Sequence, residues 1–465
     1  MSTRVKWRTR TDRALFFSTL LLFLIVISDV VTRGMMPDGT LYAGIARLLA
    51  VNEGSFWFPP TFLPDATSFH DHPPLGLWLQ SLAFRVLGDA FWVENAYAAI
   101  LLVCTCLIIY HLAVAETRRG WYATLMFLIF PLCAFTYTNN FLENTLTLFT
   151  LASVATALAS VSGTGKAFAW ALMSGLMVFA AVLTKGPVGL FPLAVYPLLL
   201  LKDTKLPPTG LLKLWLLQLG GVAACTTLML LSADARTAVT AYIDVQLIAT
   251  FAGIRPAEYG RLYLLKELGL NLLGPLVYTA LLVVAMGQRW HAWSRSTLFY
   301  LALGLCASVP LLISPRQYIH YLLPALPYFA LAIAVTAAPA VARVQAMLTR
   351  TPRGQVTLLA LPVVLLLVLL TTFVSRFGNI SDDPAQLAAA ERLARDLGDT
   401  RVVGLCADTQ LDLRLRMYLF RYHNIRVDPD SRASGNRDRL ICRTGPPDGM
   451  APGEELVIRQ ARAGT

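Results

Sequence analysis

The sequence predicts an all-α polytopic membrane protein of about eleven transmembrane helices, followed by a small C-terminal α/β domain outside the membrane. Three observations predict it. Of the 465 residues, 56% are hydrophobic and only 14% are charged, whereas soluble domains carry about 25% charged residues. The apolar residues gather in long runs, and after about residue 375 the composition turns polar. Such a chain is neither disordered nor an ordinary cytosolic enzyme. The net charge of +11 would suit nucleic acid, but nucleic-acid binders collect Lys and Arg on one wetted face. Here the basic residues stand between apolar runs.

The runs lie at about 13–31, 94–115, 121–138, 144–161, 166–184, 187–201, 211–231, 270–287, 296–313, 318–338 and 356–374. The first follows the basic stretch MSTRVKWRTRTDR. It resembles the start of a signal peptide, but no small-x-small cleavage pattern follows Ser28-Asp29-Val30-Val31, which predicts an uncleaved first helix. The sixth is short and opens at Pro187, where a missing N–H is harmless. The stretch 74–87 is also short, opens after Pro73 and carries Gln80 and Arg85, so it reads as an interfacial helix.

Charge supports that choice. With the N-terminus inside, the inner loops hold Arg118 and Arg119, then Lys166, then Lys202, Lys205 and Lys213, then Arg289 and Arg295, then Arg343, Arg350 and Arg353. Every short loop on that side is basic, as the positive-inside rule requires. Counting 74–87 as a span would put Arg118 and Arg119 outside.

Two longer polar segments then face outward. Segment 32–93 contains a helical pattern at Leu41, Ile45, Leu48 and Leu49; segment 232–269 interleaves Tyr242, Phe251, Tyr259 and Tyr263 with charges and reads as a further surface-lying helix. The expected division is a membrane domain over 1–374 and an outer domain over 375–465. In the latter, Asp382-Asp383-Pro384 is a linker, and RVVGLCA, DLRLRMYLFRY, IRV, RLICR and ELVIR outline the α/β module. Five of the seven cysteines lie in apolar runs, where they act as small hydrophobes. Cys406 and Cys442 lie in the polar tail and can pair in an oxidising compartment.

Ionisable residues at membrane depth are costly and usually functional. On this topology the informative ones share the outer face: Asp38 in PDGTLYAGIAR, Glu143 in TNNFLENTL, Lys185 in LTKGPVGLFP, Arg316 in SPRQYIHYLLPALP, and His70, Asp71 and His72 before the Pro-Pro of HDHPPLGLWLQ. Carboxylates deprotonate hydroxyls, while Lys and Arg suit a phosphate. Asp38 and Glu143 are therefore the catalytic candidates and Lys185 and Arg316 the donor-phosphate candidates. His70, Asp71, His72, Tyr42 and Tyr318 are candidates for substrate contact. Each has a plainer reading. Asp38 can cap a helix at 40–50, Glu143 can accept helix N–H groups, and Lys185 and Arg316 can snorkel to headgroups. Tyr318, His320 and Tyr321 can be packing and hydrogen-bonding residues. His70-x-His72 with one Asp is a weak metal pattern, so no metal site is assigned. No cofactor is implied; a divalent cation is compatible with the acids but not indicated. There is no Gly-rich phosphate loop for a nucleotide.

In this order the segments resemble the membrane glycosyltransferases of the GT-C superfamily, most closely the group of protein O-mannosyltransferases and lipid A aminoarabinose transferases. The resemblance runs over roughly 13–340 and rests on PDGTLYAGIAR, HPPLGLWLQSLAFRVLGDAFWVE, Glu143, TKGPVGL and PRQYIHYLLPALPYFALAIA. It implies that Asp38 is the catalytic carboxylate and that Lys185 and Arg316 face the donor phosphate. The group's second acid is commonly Asp where this chain has Glu143. The lipid A enzymes typically carry Lys before the Pro-Pro where this chain has His72.

The expected activity is inverting transfer of a sugar, hexose or pentose, from a polyprenyl-phosphate donor to an acceptor on the outer face. Lipid A, another glycolipid or a protein would serve as acceptor, with membrane lipids as the other partners. The expected location is a bacterial inner membrane, since Arg outnumbers Lys as in GC-rich genomes. The rival class is a transporter or lipid flippase, but such proteins commonly show internal repeats and midplane charges. Here no repeat stands out and the charges gather at one face. An inactive scaffold subunit is the third reading.

Overall fold

The computed structural model describes residues 3–63, 67–163, 165–255, 257–260, 262–288, 293–406, 409–428, 439–444 and 455–460. Arg289, expected in an inner loop, lies outside them. The chain divides into two compact units. The first comprises Met1–Val30, His70–Gly76 and Ala98–Arg376; the second comprises Val31–Phe69, Leu77–Tyr97 and Phe377–Thr465. The expected boundary at 374/375 lies two residues before the last of these breaks, and the unit that follows also takes in two stretches of the first outer segment.

The first unit is helical: α1 (Thr3–Val26), most of α4 (Val93–Thr117), α5 (Trp121–Leu128), α6 (Pro131–Thr138), α7 (Leu142–Ser160), α8 (Ala167–Lys185), the short α9 (Val195–Leu198), α10 (Pro208–Leu230), α11 (Ala233–Tyr242), α12 (Ala249–Phe251), α13 (Tyr263–Ala285), α14 (Arg295–Ser308), α15 (Leu326–Leu348) and α16 (Pro352–Arg376). In the second unit, α2 (Pro37–Ala50), most of α3 (Leu75–Leu87), α17 (Pro384–Leu397) and α18 (Leu413–His423) accompany four strands.

Among the described residues, eight helices are long and apolar enough to cross a membrane, or nine if the bent pair α5 and α6 is one span. Eleven were expected, and each difference from that number has a physical source. The first half of α1 carries Arg8, Arg10, Asp12 and Arg13, which leaves too short an apolar remainder. Helices α5 and α6 meet at 74°, where Pro131 at the start of α6 cannot continue the hydrogen-bond ladder of α5.

The third difference is one of geometry. By length and composition Ala167–Leu201 counts as one run of 35 residues, yet its backbone reverses. Gly186 has φ +75°, and a Cβ on Gly189 would lie 2.6 Å from the carbonyl carbon of Ala181. In a continuous helix those residues would be about 12 Å apart along the axis. Lys185 pairs with Glu143 at the start of α7, whereas Tyr196 lies 2.9 Å from the Ser160 hydroxyl at its end. The 3₁₀ segment Gly186–Ala194 therefore runs back beside α7.

Small residues let these helices approach closely, as packing in lipid favours. Ser153 and Ser174 join α7 to α8 at 3.0 Å, and a Cβ on Gly175 would lie 2.4 Å from the Gln218 carbonyl oxygen of α10. Helix α3 is apolar but only 13 residues long, too short to span, as expected. The expected helix over 232–269 is present as α11, a π-helical turn at Ile243–Ile248, and α12.

In the second unit, β1 (Val402–Leu405) pairs in parallel with β2 (Arg426–Asp428) and with β3 (Arg439–Thr444), and β3 pairs antiparallel with β4 (Glu455–Gln460), in the order β2-β1-β3-β4. Helices α17 and α18 cover this sheet through Leu387, Leu393, Leu415 and Leu419, packed on Val403, Val427 and Ile441. Cys406 and Cys442 are joined by a disulfide. The all-α membrane architecture with a small C-terminal sheet region is thus as the sequence predicts.

Candidate active site

The first unit holds a cavity of about 640 Å³ whose lining includes His72, Glu143, Lys185 and Arg316. Four elements supply them. Glu143 stands in the first turn of α7 and is fully buried. Lys185 is the last residue of α8, held at the cavity by the reversal that Gly186 permits. Arg316 lies between the 3₁₀ turns Val309–Ile313 and Ile319–Ala325. This loop is anchored by buried Gln317, which donates to the Leu312 carbonyl and accepts from the Leu264 N–H at 3.2 Å. His72 arrives on the segment His70–Gly76.

The charged groups are arranged around one carboxylate. Glu143 Oε1 accepts from Lys185 Nζ, and His320 Nε2 stands 3.6 Å from it. Glu143 Oε2 is buried and, among the described residues, has no hydrogen-bond partner. Lys185 Nζ also lies 4.8 Å from the centre of the Tyr321 ring. Arg316 donates to the Tyr318 hydroxyl at 2.7 Å, and that hydroxyl donates to Glu258 at 2.8 Å. Arg255 bridges Asp71 at 2.8 Å and Gln246 at 2.5 Å. Gln246 is carried to the cavity by the π-helical turn, a local widening often found at functional sites.

The charges that act on His72 are those of basic groups. Desolvation, and then the charges of Lys185, His320, Arg255 and Arg316, hold the His72 imidazole well below its ordinary value. It is therefore neutral at neutral pH. Desolvation also lowers His70, against the charge of Asp71. The rest of the cavity is apolar, with Leu190, Phe191 and Leu311 in its wall. Its lining runs on to Val188, Phe251 and Ile313, all exposed on the unit's surface. A cationic end joined to an apolar wall suits an amphiphile with an anionic head.

The structure thus brings together four sequence-selected residues: Glu143, Lys185, Arg316 and His72. Asp71 and Tyr318 adjoin through Arg255 and Arg316, while His70 does not line the cavity. Asp38 and Tyr42 belong to the second unit, both on α2. Asp38 is exposed in its first turn; the N-cap is Met36 and makes no side-chain cap. Tyr42 is buried edge-on against Phe69 at 6.3 Å.

His320 stacks on Phe141 and Tyr318, in keeping with its packing role, yet it also approaches Glu143. Arg255, Glu258 and Gln246 escaped the sequence reading; only their place in the polar 232–269 segment marked them. Among the described residues, no three His, Cys, Asp or Glu side chains gather so as to hold a metal ion.

Residues 71–232 match the family model described as dolichyl-phosphate-mannose-protein mannosyltransferase. The crystal structure of ArnT from Cupriavidus metallidurans bound to undecaprenyl phosphate superimposes with a TM-score of 0.63 at 17% identity, over 92% of this chain and 92% of that one. The same protein in its apo state gives 0.62 at 17% identity, over 96% and 94%. No curated protein sequence matches the chain. The matched segment contains His72, Glu143 and Lys185, and the ArnT-like fold covers nearly the whole length, so the resemblance to PMT/ArnT-like glycosyltransferases read from the sequence is borne out over that segment and in the fold.

Proposed function

We propose that the protein transfers a sugar from a polyprenyl-phosphate donor to an acceptor hydroxyl or phosphate at the outer face of a bacterial inner membrane, with inversion at the anomeric carbon. Its standing as a multi-pass membrane glycosyltransferase is supported by the family model and the fold. The observation that carries the finer reading is the cavity of the first unit, where Lys185 and Arg316 stand at one end of an apolar groove. A polyprenyl phosphate offers the matching chemistry: an anionic head and a long hydrocarbon tail.

In the proposed reaction the acceptor oxygen attacks the anomeric carbon, and the bond from that carbon to the phosphate oxygen breaks. The departing lipid phosphate gains negative charge, so preplaced cations stabilise the transition state more than the ground state. The acceptor proton passes to a carboxylate, assigned by the sequence resemblance to Asp38. Glu143, paired with Lys185, holds that ammonium at the phosphate end, and its second oxygen is available to a hydroxyl of the bound sugar. The acceptor class includes lipid A, other glycolipids and protein.

The test is binding and turnover in lipid nanodiscs. Undecaprenyl phosphate should bind the wild-type protein, and Lys185→Met and Arg316→Ala should each weaken binding about tenfold or more. Asp38→Asn should bind it normally yet transfer no sugar. Unchanged binding in both cation variants would remove the phosphate from this cavity, and normal turnover by Asp38→Asn would remove Asp38 from catalysis.

A further inference from the structure

Helix α2 carries Asp38 in its first turn, and no side chain at its N-cap fixes the direction in which it starts. That direction is set by the residues just before it, and within the second unit these are held by the C-terminal segment. Thr32 donates to the Ser381 hydroxyl at 2.6 Å. The Arg33 N–H donates to the Asn379 carbonyl at 2.7 Å, and its carbonyl accepts from the Ser381 N–H at 3.0 Å, a one-residue parallel bridge about Ile380.

The next two residues meet α18. The Gly34 N–H donates to the Tyr422 hydroxyl at 3.2 Å, and the Tyr418 hydroxyl donates to the Met35 carbonyl at 2.9 Å. This contact is dry, since Tyr418 and Met35 are each only 1% exposed. It is also tight: Gly34 has φ +96°, and a Cβ there would lie 2.4 Å from the Asp382 carbonyl oxygen. The Met35 N–H also donates to the Tyr418 hydroxyl, at 3.4 Å, and Asp383 Oδ2 stands 3.0 Å from that hydroxyl as an alternative acceptor for its one proton. At the other end of α2, Arg47 donates to the Phe420 carbonyl at 3.0 Å. One tail helix therefore grips α2 at both ends.

α18 is anchored as firmly on its other side. Arg421 is 2% exposed and makes a two-pronged pair with Glu94 at 3.0 and 2.7 Å. Its second terminal nitrogen also reaches the Ala90 carbonyl at 2.7 Å. A planar fork satisfied in this way has one orientation.

We propose that α18 is a positioning element for the Asp38 carboxylate, with Tyr418 the principal positioning residue and Tyr422 the second. The C-terminal module is then a part of the catalytic apparatus at one remove, and its tyrosine hydroxyls set where α2 begins. The proposal rests on the reading of Asp38 as the base. A misplacement of about 1 Å costs on the order of a hundredfold in rate, which is the reason to hold this turn with buried hydrogen bonds.

The experiment uses the full chain in nanodiscs. Sugar transfer is measured from polyprenyl-phosphate sugars extracted from the membranes of the producing cells, and hydrogen exchange is followed over 33–50. Tyr418→Phe keeps the ring and loses the hydroxyl. It should lower kcat about ten- to a hundredfold, leave the donor KM within about twofold, and speed exchange over 33–45 without changing it over 384–423. Tyr422→Phe should do the same more weakly, and it carries the test if Tyr418→Phe does not fold. A kcat per folded molecule equal to wild type, or unchanged exchange over 33–45, overturns the proposal. Asp38→Asn is the control: if it is inactive while Tyr418→Phe is normal, positioning alone fails, and if it turns over, the reading of Asp38 fails.

Discussion

Lys185 and Glu143 form a buried ion pair whose net worth to stability is small, because desolvation offsets the attraction. Breaking it is another matter. Lys185→Met strands the Glu143 carboxylate and should cost about 3–5 kcal/mol, read as a loss of Tm in detergent. Lys185→Met combined with Glu143→Gln should recover most of that stability but none of the lipid-phosphate binding. Recovery of binding with the double variant would mean that the pair is structural and nothing more. His72 supports a second prediction. Its folded-state pKa lies well below the ordinary histidine value because of desolvation and the neighbouring Lys185, His320, Arg255 and Arg316. The unfolded chain therefore binds the extra proton first, and stability falls as pH drops through the ordinary histidine range near about 6.5. His72→Asn should flatten that fall in Tm between pH 7 and pH 5; an unaltered slope would rule His72 out as its source, while His70 and His423 have shifts of the same sign.

At the scale of elements, the turn after α8 decides where the site is. Gly186 lies at φ +75°, and a Cβ there would lie 2.0 Å from the Tyr242 hydroxyl oxygen. Both backbone and space exclude a side chain. Gly186→Ala should destabilise the fold by about 1–3 kcal/mol from backbone strain alone, and more if Tyr242 cannot move. Because Lys185 precedes the turn, the same variant should weaken undecaprenyl phosphate binding at temperatures where it remains folded. A variant with lowered Tm and normal binding would show that Lys185 does not depend on this turn. The π-helical turn at Ile243–Ile248 plays the corresponding part for Gln246, and through it for Arg255 and Asp71.

At the scale of the whole molecule, the excess charge and the proposed chemistry separate. The segments read as cytoplasmic hold about 16 basic and 3 acidic residues, roughly +13, an asymmetry that supports the proposed orientation. The proposed orientation places the tail outside, in an oxidising space, where the Cys406–Cys442 bond is at home. Non-reducing mass spectrometry of the membrane-purified protein should find this one bridge. A cysteine placed at Ser381 should react with a membrane-impermeant thiol reagent in intact spheroplasts, and labelling only after lysis would invert the topology.

What could be read without a structure follows from periodicity and solvent. Apolar runs, basic inner loops and the polar tail identify the membrane fold, because the bilayer imposes length and charge rules on each segment separately. The same logic picked out Glu143, Lys185, Arg316 and His72, since a charge beside an apolar run needs a reason to be there. Tertiary structure decided the rest. Only packing pairs Lys185 with Glu143, recruits Arg255 and Gln246 from a segment that looked merely polar, and ties Tyr418 and Tyr422 to the backbone before Asp38. Those contacts join residues 9 to 388 positions apart. A local pattern reports the solvent a residue prefers; which distant partner then satisfies its charge or hydrogen bond is fixed only when the chain has folded.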